Sequence, residues 1–287
     1  MQGYKLAEGR YKTDKLTTDK MWDTFNWLFS AYSRNDTSYK FIFLKAIIDC
    51  LDRKDMKGRI SFDILFEDYT RIAWNLVLKY GLAQKGVASD GRKSTLENTL
   101  RAKYDSDSSF DELFEEEKKQ ICHDVKIQCK KYVVGALYGD AGGYFYSFSK
   151  KEEWIELNPV MEMFIKENKN LIENLNYYKW AKFYEQVNGS KKALQLLEEH
   201  DFKAARKNET VYRSILAQEF EMPGDFNPRI NTLELLMKAD GIKIDEVNDV
   251  TNDVVEAEFY KDFSHMKKYL DDPYELIKQI KKEKKII

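Results

Sequence analysis

The spacing of apolar residues along the chain is mostly that of helices. Aromatic residues recur every three or four positions in residues 19–33, and a second stripe of this kind occupies residues 38–51. Such spacing places the apolar side chains on one face of a helix. The clearest stripe begins at Ser61 and ends at Gly81, where a glycine suits the left-handed conformation that closes many helices. These three segments predict a helical N-terminal half.

Local start and stop signals predict further helices. Ser109 and Glu112 have the spacing of a capping box, which predicts a helix from there to about Lys131. Asn158 followed by Pro159 is a strong helix start, because Asn caps the backbone and Pro suits the first helical position. Shorter patterns predict helices over residues 95–103, 176–189, 190–199 and 208–221.

One segment has the pattern of a β-hairpin. The glycine-rich stretch 139–143 separates residues 133–138 from residues 144–148, and both flanks are rich in aromatic or β-branched residues. After residue 221 the chain becomes richer in proline and acidic residues. We therefore expect a mainly α protein: a multi-helix domain over 1–221 with one small β-hairpin, and a smaller C-terminal helical or mixed segment over 222–287.

Composition narrows the class of protein. The 287 residues are 43% hydrophobic and 33% charged, as in a folded globular protein. The net charge of −2 gives no overall basic signature of a nucleic-acid coat protein. No apolar run approaches the roughly 20 residues of a membrane span, and three scattered cysteines do not form a disulfide framework. We expect a cytoplasmic protein that does not insert into membranes.

No complete catalytic or cofactor motif is present. Cys122, His123 and Cys129 share one predicted helix, but two helical turns put the cysteines roughly 10 Å apart and match no zinc motif. The 139–143 stretch lacks the P-loop pattern. The three histidines stand in charged helical contexts with no evident Ser or Cys partner. We predict no catalytic residues, no metal and no cofactor.

Basic positions are the candidates for contacts with nucleic acid. They are Arg206, Lys207 and Arg213 near the end of the helical domain, and Lys281, Lys282, Lys284 and Lys285 at the C-terminus. Another set, Asp253, Glu256, Glu258 and Lys261, resembles the acidic-plus-lysine set of a metal-dependent nuclease but lacks the E-x-K spacing, and surface solvation explains these residues better.

Several stretches in order resemble a bacterial protein family usually described as HNH endonucleases. The matching stretches are residues 37–46, 60–62 with 73–74, 135–140, 156–159 with 177–188, and 212–216. The resemblance covers roughly residues 20–220. It implies a helical N-terminal region that precedes a compact nuclease module.

The segment after residue 220 departs from that family. There the family would supply metal-supporting cysteines, a catalytic histidine, an asparagine and a second histidine. This chain has no cysteine after Cys129 and only His265 after His200. One histidine cannot both activate water and complete the metal site, so no catalytic residue carries over.

The leading hypothesis is therefore a non-catalytic, nucleic-acid- or partner-binding helical component of a bacterial or phage DNA-processing or defence assembly. One alternative is a nuclease-related enzyme that needs a partner chain or an acidic site in residues 240–262. The other alternative is a pure protein–protein interaction module.

Overall fold

The computed structural model describes residues 5–29, 36–86, 93–200 and 208–220. All of these except residues 170–175 belong to one compact unit. The expected segment 222–287 lies outside the described residues, together with the predicted boundary at its start.

The described residues form eight helices and four short strands. The helices are α1 (Thr18–Phe29), α2 (Tyr39–Asp49), α3 (Phe62–Val77), α4 (Thr95–Arg101), α5 (Glu115–Asp140), α6 (Pro159–Glu167), α7 (Lys169–Glu199) and α8 (Asn208–Glu219). The strands are β1 (Glu8–Gly9), β2 (Arg59–Ser61), β3 (Tyr146–Ser149) and β4 (Trp154–Leu157). The expected mainly α class is confirmed.

Local capping chemistry sets several helix ends where the sequence predicts them. The Ser61 hydroxyl accepts a hydrogen bond from the Ile64 N–H at 3.3 Å and starts α3. The Asn158 side chain accepts from the Val160 N–H at 3.1 Å and starts α6, with Pro159 in the first helical position. Gly81 has a φ of +60°, the left-handed conformation expected there. Gly189, with a φ of +68°, interrupts α7 at the predicted stop.

The β-hairpin exists and the predicted second strand, residues 144–148, overlaps β3, but the predicted first strand and turn are wrong. Residues 133–138, expected to be its first strand, form the last turns of α5. Val133, Val134 and Leu137 are buried there, and this tertiary packing overrides the weak β preference of valine. The 139–143 stretch closes the helix instead: the Gly143 N–H donates to the Tyr138 carbonyl at 2.9 Å.

The strands that do pair are β3 and β4, one element later in the chain. All pairings are antiparallel, in the order β1-β3-β4-β2. β1 and β2 are too short to show a period-two pattern, so the sequence does not predict them.

The start of α5 also differs from the prediction. The helix begins at Glu115 rather than at Ser109, and the Glu117 carboxylate accepts a hydrogen bond from the Phe114 N–H at 3.0 Å. It continues nine residues past the predicted end at Lys131, to Asp140. This length matters for the site, because the last turns of α5 form one wall of a cavity.

Aromatic rings fill the core. Trp180 is fully buried and stacks against Phe41 of α2, with ring centroids 6.2 Å apart. Phe220, just beyond α8, stacks on the same indole at 5.6 Å. Such ring pairs add to the hydrophobic stabilisation from burial. α3 lies at the centre of the helical packing, mainly against α2 and α5.

Candidate binding cavity

A cavity of about 910 Å³ lies where the start of α2, the segment after α3, the start of α4 and the last turns of α5 meet. Its volume is within the roughly 300–1,000 Å³ of pockets that hold small-molecule ligands. The lining residues come from positions 36 to 140, so folding brings together segments that are remote in sequence.

The α5 wall of the cavity is apolar. Val133, Ala136 and Leu137 line it, and Val133 and Leu137 are almost completely buried. Tyr132 lies in the same lining and is 42% exposed. The Lys131 ammonium lies 4.8 Å from the centroid of that ring. This wall is apolar, and Tyr132 is its aromatic and most exposed residue.

A largely buried ion pair is part of the cavity lining. The Lys40 ammonium lies 2.9 Å from an Asp140 carboxylate oxygen and donates to the Leu28 carbonyl at 3.3 Å. The Lys40 side chain is 8% exposed and the Asp140 side chain 28%. Burial lowers the pKa of Lys40, while the Asp140 and Asp36 carboxylates act in the opposite direction. Asp140 is therefore the ion-pair partner of Lys40, and Asp36 acts on its pKa only as a nearby charge.

The described lining of the cavity holds three lysines and two aspartates, which gives it a net charge of +1. Lys85 and Lys93 line it, and Lys93 is exposed. Within the described parts of the chain, neither ammonium forms an ion pair. Thr37, which pairs with Lys85 through an isolated antiparallel bridge, and Thr95 place hydroxyl groups in the same lining. These groups suit an anionic ligand, because ammonium and hydroxyl groups both donate hydrogen bonds.

A buried hydrogen-bond network fixes the segments that carry these lysines. The Glu97 carboxylate accepts from the N–H groups of Gln84 at 3.1 Å and Ser94 at 3.0 Å, which ties the Lys85 segment to the start of α4. The Ser94 hydroxyl accepts in return from the Glu97 N–H and completes a capping box. The Gln84 side chain also accepts from the hydroxyls of Ser38 at 2.6 Å and Tyr184 at 2.9 Å. The network holds the cavity in a preformed geometry.

Tyr39 connects the two helix starts at the cavity. Its hydroxyl oxygen accepts a hydrogen bond from the Leu96 N–H at 3.0 Å. Burial raises the pKa of Tyr39 to about 12, so the phenol stays protonated at neutral pH. The hydroxyl is a positioning group and supplies no charge.

The residues predicted from sequence to bind nucleic acid do not line this cavity. Arg213 lies on α8, and its guanidinium carbon is 5.8 Å from the centroid of the Tyr178 ring. The other six, Arg206, Lys207, Lys281, Lys282, Lys284 and Lys285, lie outside the described residues, as do Asp253, Glu256 and Glu258.

The cysteines and histidines form no metal site in the described part of the chain. No group of three or more His, Cys, Asp or Glu residues that could hold a metal occurs there. The three cysteines are free, and burial raises the pKa of Cys122 to about 11 and of Cys129 to about 12. His200 packs edge-on against the Tyr80 ring at 5.1 Å.

The comparisons with known proteins find no relative. No family model matches the chain, and no curated protein and no solved structure matches it. The resemblance to HNH endonucleases therefore stays a prediction. Among the helices that the structure describes, none has the length and apolar character to cross a bilayer.

Proposed function

We propose that this protein is a non-catalytic, nucleic-acid-binding helical component of a bacterial or phage DNA-processing or defence assembly, and that the cavity binds single-stranded DNA. The observation that carries the proposal is the combination of Lys85 and Lys93 with the partly exposed Tyr132 in the lining of one cavity. The sequence resemblance supplies the biological setting.

The chemistry of these groups fits a single strand. Proteins that bind single strands combine cations along the phosphate backbone with aromatic rings on which bases stack. Lys85 and Lys93 supply the cations, and Tyr132 supplies the ring.

Fluorescence anisotropy with a labelled oligothymidylate tests the proposal. Wild-type protein binds, and its affinity falls with salt because lysines displace counterions from the strand. Lys93→Glu and Lys85→Glu each weaken binding by about tenfold or more and lower the salt slope by about one. Lys119→Glu is the matched control, because Lys119 is exposed on α5 and does not line the cavity. It leaves the affinity within about threefold of wild type.

Two outcomes would overturn the proposal. Equal weakening by all three substitutions would mean that binding depends on overall charge rather than on the cavity. Metal-dependent cleavage of plasmid DNA by the purified protein would mean that the chain is an enzyme, as in the first alternative.

One observation favours a protein-interaction module as a second candidate. Phe114, at the start of α5, is 77% exposed, and exposed aromatic residues are enriched where proteins bind one another. Under that function the protein shows no salt-dependent binding to any oligonucleotide, and Phe114→Ser weakens a complex isolated with the protein.

A further inference from the structure

Glu97 of α4 carries a buried carboxylate that does not line the cavity. The residue is 4% exposed, and it forms no ion pair with any residue that the structure describes. A buried carboxylate is costly unless its oxygens accept hydrogen bonds. Here one atom, Oε2, accepts from the Gln84 N–H at 3.1 Å and from the Ser94 N–H at 3.0 Å. Glu97 therefore joins two segments of backbone at one point.

Two of the three lysines in the cavity lining are next to this point in the chain. Lys85 follows Gln84, Lys93 precedes Ser94, and both lysines line the cavity. The chain therefore leaves the Glu97 carboxylate at Lys85 and returns to it at Lys93. This connection keeps the backbone of both lysines beside the same cavity.

The Lys85 segment has other bonds that hold it in place. Lys85 pairs with Thr37 through the isolated antiparallel bridge. The Gly86 N–H donates to the Asp36 carbonyl at 3.1 Å. These backbone bonds do not involve Glu97, so Lys85 should keep its position when the Glu97 carboxylate is removed.

The position of Lys93 depends more strongly on Glu97. No hydrogen bond or ion pair of Lys93 itself occurs within the described ranges of the chain. Its neighbour Ser94 is bonded to Glu97 in both directions, through the Ser94 N–H to the carboxylate and through the Glu97 N–H to the Ser94 hydroxyl at 3.1 Å. Loss of the Glu97 carboxylate should therefore displace Lys93 relative to Lys85.

We infer that Glu97 is a positioning residue of the cavity and sets the affinity for a single strand through Lys93. Glu97 touches no ligand. Its carboxylate holds the backbone beside Lys93, so that the ammonium stays where a phosphate of the strand reaches it. The inference rests on the proposed function, since it names a residue outside the lining on which single-strand binding depends.

The direction of the change in Glu97→Ala separates this role from a general effect of charge. The substitution removes a negative charge, which by itself strengthens binding to a polyanion. We expect it instead to weaken binding of a labelled oligothymidylate by about fivefold and to lower the salt slope by about one, as loss of one phosphate contact does. Glu97→Gln should retain most of the affinity, because its side-chain oxygen still accepts hydrogen bonds from N–H groups.

A double-mutant cycle shows whether Glu97 acts through Lys93. Lys93→Ala should weaken binding by about fivefold in the wild-type protein but by less than about twofold in Glu97→Ala, because the contact is already lost there. Lys85→Ala should weaken binding by the same factor in both backgrounds. Asn158→Ala, which removes the cap of α6 and does not line the cavity, controls for a loss of stability alone and should leave the affinity within about twofold of wild type.

The outcomes distinguish failure of this inference from failure of the proposed function. Unchanged or tighter binding by Glu97→Ala, or additive effects of Glu97→Ala and Lys93→Ala, overturns the inference and leaves single-strand binding in place. If wild-type protein binds no oligothymidylate, the proposed function fails and this inference fails with it. Circular dichroism checks that each variant is folded. If Glu97→Ala is unfolded, Glu97→Asp takes its place in the cycle, because it keeps the charge but has a shorter side chain, and wild-type affinity in that variant overturns the inference.

Discussion

Replacing Asp140 with Asn removes the carboxylate that pairs with Lys40 and leaves the ammonium buried. Removal of one partner from a fully buried ion pair costs about 3–5 kcal/mol, whereas an exposed pair contributes at most about 1 kcal/mol. The Lys40 side chain is 8% exposed and the Asp140 side chain 28%, so the pair lies between these limits. We expect Asp140→Asn to lower the free energy of unfolding by about 2 kcal/mol at pH 7.

The chain provides a matched control on the same helix. Asp124 of α5 pairs with Lys103 at 2.8 Å, and its side chain is 29% exposed, much like Asp140. The difference is the lysine, because the Lys103 side chain is 49% exposed. Asp124→Asn should therefore leave stability nearly unchanged. Urea unfolding followed by tryptophan fluorescence measures both variants, and similar losses in the two would refute the role assigned to the burial of Lys40.

The pH dependence gives the same prediction an independent test. Burial lowers the pKa of Lys40 in the folded state, so the unfolded chain binds this proton more tightly. The contribution of Lys40 to the free energy of unfolding therefore rises with pH between its lowered pKa and the ordinary value of 10.5. Above the lowered pKa the Lys40 amine is neutral, and its burial no longer requires a carboxylate beside it. The loss caused by Asp140→Asn should shrink as pH rises from 7 towards 10.5, and a loss independent of pH would contradict the assignment.

Three further predictions concern thiols, a helix start and a turn. Burial raises the pKa of Cys50 and Cys122 to about 11. At pH 7.5 both thiols of the native protein should therefore react with a disulfide reagent about 100-fold more slowly than in the urea-unfolded chain, because only the thiolate reacts. Equal rates would contradict this. Asn158→Ala removes the cap of α6 and should lower the unfolding free energy in urea by about 1 kcal/mol, whereas Asn158→Ser should recover most of it. Gly143→Ala forces alanine into a φ of +76° with its Cβ about 3.1 Å from the Tyr138 hydroxyl, and should cost about 1–2 kcal/mol in the same assay; no loss would mean that the turn adopts another conformation.

Helix positions were predictable where the signal is local. Ser61 and Asn158 cap helices through bonds to N–H groups only two or three residues away, so the residue types alone indicate them. Gly81 and Gly189 adopt the left-handed conformations that glycine favours. Such signals depend only on residues that are near in sequence, so the contacts formed on folding do not override them.

The end of α5 and the cavity were not predictable for the opposite reason. Residues 133–138 have a β-like composition, and burial against other elements decides that they are helical. Lys40, Lys85 and Lys93 look like ordinary surface lysines in the sequence, where their separation hides their common environment. These three lysines come together only through contacts between distant segments of the chain. The helical spacing of the sequence does not predict such contacts.

Photocrosslinking tests the central claim, that single-stranded DNA binds at the cavity, most directly. A strand containing 5-iodouracil is irradiated with the full-length protein, and the modified peptides are identified by mass spectrometry. We expect an adduct on Tyr132 in the cavity lining, lost in Lys93→Glu and retained in Lys119→Glu. Adducts confined to peptides outside the cavity lining, with Tyr132 unmodified, would contradict the claim.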